Sequence, residues 1–176
     1  MSGRLAFVVC GPQLEVAFRA SGQRVASLVR LAGVSPRSTL VLAAADLLVE
    51  DAGLEPSAVD RVLVTRGPGS FTGIRAGIAT AQGLAAASGA EIVAYDSLLV
   101  QAARCDGASE CWAAQPGRRG EVYGRAYGVR PDAVPEAKGV IEVLAVDSLT
   151  GDRQWIAPDA LDLGSARRAV PVMSAA

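Results

Sequence analysis

The stretch from Asp60 to Tyr95 constrains the fold most. Asp60 to Thr65 is apolar and β-branched around Val62, Leu63 and Val64, the composition of a central strand buried on both faces. It runs into a glycine-rich turn, Gly67-Pro68-Gly69-Ser70-Phe71-Thr72-Gly73, and then into a helix expected from about Thr72 to Ala87 and closed by Ser88-Gly89. Glu91 to Tyr95 reads as a second buried strand. A strand, a long crossover helix and a further strand imply a right-handed parallel connection. The chain therefore has an α/β unit whose sheet must be covered by helices.

The residues before this unit read as a meander. Arg4 to Cys10, Leu14 to Ala20 and Arg24 to Val29 are short strands separated by the Gly11-Pro12 and Ser21-Gly22 turns, and such tight turns force antiparallel pairing. Ser35-Pro36 reads as a helix cap with proline at the first helical position. That helix is expected to reach about Ala52, with Leu40, Ala44, Leu47 and Leu48 inward and Gly53 as its stop. After the crossover, Ser97 caps a short helix to about Arg104. Trp112 to Gln115 and Glu121 to Tyr127 form a hairpin around Pro116-Gly117, Val140 to Val146 is another strand, and no helix is expected from Ser148 on. The expected architecture is a mixed sheet with flanking helices in a first lobe, residues 1–104, and a shortened second lobe, residues 105–176.

Composition then removes whole classes of function. At 176 residues the chain can bury about two thirds of its unfolded surface. Its 51% hydrophobic and 20% charged content excludes a disordered chain. A net charge of −1 argues against holding nucleic acid alone, because that affinity comes from arginine and lysine neutralising phosphates. The chain has no histidine, so a Ser-His-Asp triad, an HExxH zinc site and an imidazole base are all excluded. Cys10, Cys105 and Cys111 are odd in number and too few for a four-cysteine metal site, and read as reduced thiols of a cytoplasmic protein. The apolar run Leu5 to Cys10 is too short for a secretion leader, and Leu40 to Leu48 is broken by Asp46, so no membrane contact is expected.

Two features carry candidate chemistry. In the turn, Gly67, Gly69, Ser70, Thr72 and Gly73 offer backbone N–H groups at a helix start, with Arg75 and Arg66 nearby, which suits an anion or a nucleotide phosphate. The lysine of a Walker loop is missing, and a purely structural turn is the competing reading. The helix after it has a broad small-residue face: Gly73, Ala76, Gly77, Thr80, Ala81, Gly83 and Ala87. Interior glycines cost a helix about 1 kcal/mol each, so a close approach must offset them, either of the chain's own sheet or of another subunit. Arg118, Arg119, Arg125 and Arg130 form a local basic cluster, either a phosphate patch or a solvated hairpin. Asp46, Glu50 and Asp51 read as a polar helix face or interface rim, with acid–base work by the Asp46–Glu50 pair as the competing reading.

The run from Gly67 to Arg75, continued by Ala79-Thr80 and Gly83-Leu84, closely resembles the TsaB (YeaZ) family. Ser97-Leu98 and Arg118-Arg119-Gly120-Glu121-Val122-Tyr123 fit its pattern too. The resemblance implies an actin-like, RNase H-like (ASKHA) fold. It also implies a noncatalytic subunit, with no catalytic or metal-binding residues and no cofactor of its own, that supports threonylcarbamoyladenosine (t6A) modification of tRNA. The partners implied are a TsaD-type catalytic paralogue and a TsaE-type ATPase, with ATP or ADP placed only at a complex interface and homodimerisation an alternative. Leu47, Gly73, Ala76, Gly77 and Thr80 are the expected interface residues. The sequence departs from the family where it usually has aspartates: Val8 stands in the Asp-Thr-Ser stretch, and Pro116-Gly117 stands for Asp-Ala. Pro36-Arg37-Ser38-Thr39 replaces a His-Ser-Glu run, and the C-terminus is short for the family. The runners-up are a nucleotide-binding protein using the Gly67–Gly73 turn and a diverged paralogue scaffolding another complex.

Overall fold

A computed structural model describes residues 2–32, 39–105, 109–149, 151–158, 161 and 163. They fall into two compact units, one formed by residues up to Arg66 with Ser70–Tyr95, the other by Gly67–Gly69 with the chain from Asp96. The second unit thus starts earlier than the division expected after residue 104, because the short helix that follows Asp96 packs on the second unit's strands.

The first unit is built on strands β1 (Gly3–Val8), β2 (Gln13–Ala20), β3 (Ser27–Ala32), β4 (Val59–Thr65) and β5 (Glu91–Tyr95), with helices α1 (Leu40–Asp51) and α2 (Phe71–Ser88). The sheet order is β3-β2-β1-β4-β5. The first three strands form the expected antiparallel meander, and β4 and β5 add in parallel. Alternation along the strands sends Leu5, Phe7, Val16, Phe18, Val62 and Val64 to one face. There they meet Val41, Ala44, Ala45, Leu48 and Val49 of α1 and Ala81 of α2 in one core.

Leu47, β5 and β3 differ from the sequence expectations, and one expectation falls where the chain is not described. The expected cap at Ser35-Pro36 lies outside the described residues, and α1 is entered through Thr39. Its buried stripe runs through Val41, Ala44, Ala45, Leu48 and Val49, a helical i, i+3, i+4, i+7, i+8 series, which turns Leu47 outward at 57% exposed. β5 is not buried on both faces: it is the sheet's edge, and Glu91, Ile92 and Ala94 are exposed. β3 starts at Ser27 because it pairs only from Phe18 opposite Ser27.

The second unit contains α3 (Ser97–Ala102), β6 (Glu110–Pro116), β7 (Glu121–Gly128), β8 (Glu136–Ala145) and β9 (Trp155–Ile156), in the sheet order β8-β7-β6-β9. β6 and β7 are the expected hairpin, and β8 continues the antiparallel run. One cluster joins α3 to the sheet through Leu98, Ala102, Cys105, Cys111, Ala113, Tyr127 and Ile156. A second cluster contains Ala114, Val122, Leu149, Trp155, Ala157 and Leu163, with the Trp112 and Trp155 rings tilted by 48° and their centres 5.4 Å apart. Helix α3 is capped by Asp96 rather than Ser97: the Leu98 N–H donates to Asp96 Oδ1 at 2.7 Å. All three cysteines are buried thiols outside any disulfide.

Gln115 is fully buried, and among the described residues neither its amide nitrogen nor its amide oxygen has a hydrogen-bond partner. A buried amide without partners costs about 1–3 kcal/mol. Gln115→Leu is therefore expected to raise unfolding stability by about 1 kcal/mol or more, read from the urea midpoint; a lowered midpoint would show that the amide is satisfied in solution.

Candidate functional site

The glycine-rich turn is tied at both ends by the chain itself. The Ser70 N–H donates to Cys10 O at 2.7 Å, and the Gly73 N–H donates to Ser70 Oγ at 3.3 Å, which caps α2. Separately, the Ser97 N–H donates to Gly67 O at 2.8 Å and the Ser97 hydroxyl donates to Pro68 O. Gly67 and Gly69 adopt φ of 109° and 141°, conformations that only glycine enters freely. Two of the N–H groups named for the anion cradle, those of Ser70 and Gly73, are thus spent on the protein's own acceptors. Arg75 lies against the Phe71 ring, 5.5 Å from its centre, and Thr72 is exposed.

Gly73 and Gly77 of α2 face inward, whereas Gly83 is exposed with open space beyond it. A Cβ on Gly73 would lie 1.9 Å from Val9 O, and one on Gly77 would lie 2.4 Å from Val9 Cγ2 and 3.4 Å from Val64 Cγ2. Gly73 and Gly77 therefore serve the helix's seat on its own sheet, which corrects their assignment as partner-facing residues: Gly77 is already buried within the unit. Ala76 and Thr80 are half-buried. Of the expected interface residues, Leu47 has the most outward side chain.

What the two helices turn outward is a different set. On α1 it is Leu42, Ala43, Asp46, Leu47 and Glu50; on α2 it is Phe71, Thr72, Arg75, Ala79 and Gln82, with the small Gly83, Ala86 and Ala87 beside them. Leu42 and Phe71 join Leu47 among the exposed large apolar side chains, Phe71 at 71%. The two helices touch one another and share one sheet face, so these side chains belong to one side of the unit. Leu42 and Phe71 were legible in the sequence: Leu42 falls outside the i, i+3, i+4 stripe of α1, and Phe71 precedes the first inward position of α2.

At the ends of β1 and β4 stands a polar knot without a carboxylate. Thr65 Oγ1 donates to Phe7 O at 3.3 Å and accepts from the Val9 N–H at 3.3 Å and from the Cys10 thiol at 3.0 Å. Val8, at the end of β1, pairs across with Glu15, whose carboxylate is engaged by Arg30 at 2.9 Å. In the second unit Pro116 ends β6, and Arg118 and Arg119 lie exposed in the turn that follows. Neither valine nor proline can ligate a metal ion or orient a water. Among the described residues no group of three or more His, Cys, Asp or Glu side chains is placed to hold a metal ion. No helix among them is long and apolar enough to cross a membrane.

The basic cluster expected around the β6–β7 hairpin is dispersed. Arg125 pairs with Asp96 at 3.6 Å and lies over the Tyr127 ring, while Arg130 pairs with Glu136 at 3.5 Å. Burial raises the Tyr127 phenol to about 12, with the Asp96 charge adding to the rise and Arg125 opposing it. Burial also pushes the Cys111 thiol up, reinforced by its hydrogen bond with Cys105, so Cys111 is held as an unreactive thiol.

A family model described as TsaD, tRNA N6-adenosine threonylcarbamoyltransferase, matches residues 22–140. The tRNA threonylcarbamoyladenosine biosynthesis protein TsaB of Escherichia coli (strain K12) is 36% identical over 83 residues, or 46% of this chain; the match spans only 36% of that protein. YeaZ from Pseudomonas aeruginosa superposes with a TM-score of 0.75 at 29% identity, covering 88% of this chain and 75% of that one. A second Pseudomonas aeruginosa structure, described as an uncharacterized protein with similarity to peptidase YEAZ, gives 0.76 at 27% identity over 96% and 87% of the two chains. The mixed sheets, the flanking helices and these likenesses make the fold the expected actin-like, RNase H-like one.

Two outcomes follow from this geometry. Gly73→Ala should destabilise the chain by about 1–3 kcal/mol, although alanine favours a helix over glycine by about 1 kcal/mol, since a backbone carbonyl stands where the methyl must go. Chemical denaturation measures it, and an unchanged midpoint would mean that the helix retreats freely from β1. Tyr127 keeps its proton in the folded chain up to about pH 12, whereas the unfolded phenol loses it near its ordinary value of 10.0. Its contribution is complete below the unfolded value and is lost as pH rises through the folded one. Stability should therefore fall from about pH 10 to 12, with a late phenolate absorbance step at 295 nm that Tyr127→Phe removes.

Proposed function

We propose, because the chain belongs to the TsaD-type family and within it to the TsaB/YeaZ proteins, that it is a noncatalytic subunit in threonylcarbamoyladenosine modification of tRNA. On this reading it binds a TsaD-type catalytic paralogue through the outward side of α1 and α2, and a TsaE-type ATPase acts in the same assembly. The transfer chemistry belongs to the paralogue. The replacement of strand-end carboxylates by Val8 and by Pro116-Gly117 supports that division, because the side chains left there cannot hold a metal ion or activate water.

The observation that carries the interface is the exposure of Leu42, Leu47 and Phe71 on one side of a unit whose Gly73 and Gly77 are already used against its own sheet. Large apolar side chains left in water gain about 25 cal/mol for each Å² that a partner covers, and aromatic residues are common anchors in protein interfaces. The interface on this reading has Leu42, Leu47 and Phe71 as bulky anchors, with the exposed small residues of both helices between them.

Co-purification with a TsaD-type subunit, followed by assay of tRNA modification in cells depleted of their own TsaB-type protein, tests this reading. Leu47→Asp and Phe71→Asp are each expected to weaken association about tenfold or more and to lose complementation, with the melting temperature unchanged. Wild-type-like association in both variants would overturn the assignment of this face. Failure of the unaltered chain to complement would overturn the role itself.

A further inference from the structure

A second candidate site lies in the first unit, on the sheet face turned away from α1 and α2. Leu5 and Phe18 point into the core, so their neighbours Arg4 and Arg19 point to the opposite face. Arg4 and Arg19 are direct cross-strand partners, and on its other side Arg4 is paired with Arg61 of β4. Like charges directly opposite one another destabilise a strand pair, so three arginines in one row need compensation. Arg61 has it, with Glu91 at 2.7 Å. Arg4, Arg19 and the nearby Arg24 form no ion pair among the described residues.

These three uncompensated arginines line one cleft of about 410 Å³, together with the Ala20–Gln23 turn. The turn is fixed: the Ser21 N–H donates to Ser2 O at 2.8 Å, the two serine hydroxyls are hydrogen-bonded at 2.8 Å, and the Gln23 N–H donates to Ala20 O at 3.1 Å. The charge is local, since the whole chain has a net charge of −1. Guanidinium groups present planar N–H forks that fit phosphoryl oxygens in pairs. Adjacent strands about 4.8 Å apart bring the Arg4 and Arg19 heads within reach of one phosphate or of two successive ones.

We propose that this cleft binds a phosphoryl group, donated either by a polynucleotide backbone or by a small phosphorylated molecule, through Arg4, Arg19 and Arg24. The site does not depend on the partner role proposed for α1 and α2. It lies on the other face of the sheet and stays open when those helices are covered.

Two probes separate the sources: inorganic pyrophosphate, followed by thermal shift and calorimetry, and a fluorescently labelled RNA stem-loop, followed by anisotropy across a salt series. The full chain is compared with Arg4→Ala/Arg19→Ala, with Arg24→Ala and with Arg119→Ala as a control in the other unit. All four altered positions are exposed, and circular dichroism checks that each variant is folded. At least one probe is expected to bind, with affinity falling about tenfold for each cleft arginine removed and unchanged in Arg119→Ala. Pyrophosphate binding alone identifies a small phosphorylated ligand. RNA binding whose salt dependence weakens in the double variant identifies a polynucleotide. Absence of binding by both probes, or binding that the cleft variants leave intact, overturns the proposal.

Discussion

The first unit depends on how closely α2 can approach the end of β1. Val9 sits between the helix and β4, and the helix reaches it only because Gly73 and Gly77 place no side chain in the way. That contact fixes the height of α2 above the sheet, and with it the position of the Gly67–Gly73 turn. It also decides which side of α2 looks outward. Ala81 is the only fully buried hydrophobic residue of α2 among the described ones, and Ile78, Leu84 and Ala85 pack half-buried against the same core. Backbone proximity, the Ser70 cap and the left-handed Gly89 that closes the helix complete its seat.

The same economy appears where β1 and β4 end. A single hydroxyl, Thr65 Oγ1, serves the backbone of Phe7, the backbone of Val9 and the thiol of Cys10. In the second unit Asp96 has a comparable double duty, capping α3 and pairing with Arg125, and its charge helps to hold Tyr127 protonated. These are structural uses of polar groups at strand ends, positions where α/β folds often place chemistry.

Much of this was readable from the sequence because the signals were local. The meander, the crossover and the β6–β7 hairpin follow from turn residues and from the period of the apolar positions, and each occurs within a few residues of its expected place. Direction was harder to read. The smallness of Gly73 and Gly77 announced a close approach, but a helix with so few bulky residues does not reveal which neighbour approaches. Leu47 looked inward beside Leu48, yet the buried stripe passes through Ala44 and Ala45 and leaves it outside. Ile92 and Val93 have the composition of a central strand, and only the strand order makes β5 an edge. The Arg4–Arg19 pair was legible in principle, since the two residues are equidistant from the Gly11-Pro12 turn, but that neither forms an ion pair among the described residues depends on distant strands.

The edge position of β5 decides how the first unit can grow. An open edge offers unpaired N–H and C=O groups to any extended segment, and proteins blunt this with short, charged strands. β5 has five residues and carries Glu91 locked to Arg61, so it is a poor template for strand addition. Self-association into larger sheets is discouraged on that side, which leaves assembly to the opposite edge at β3 and to surfaces made of side chains.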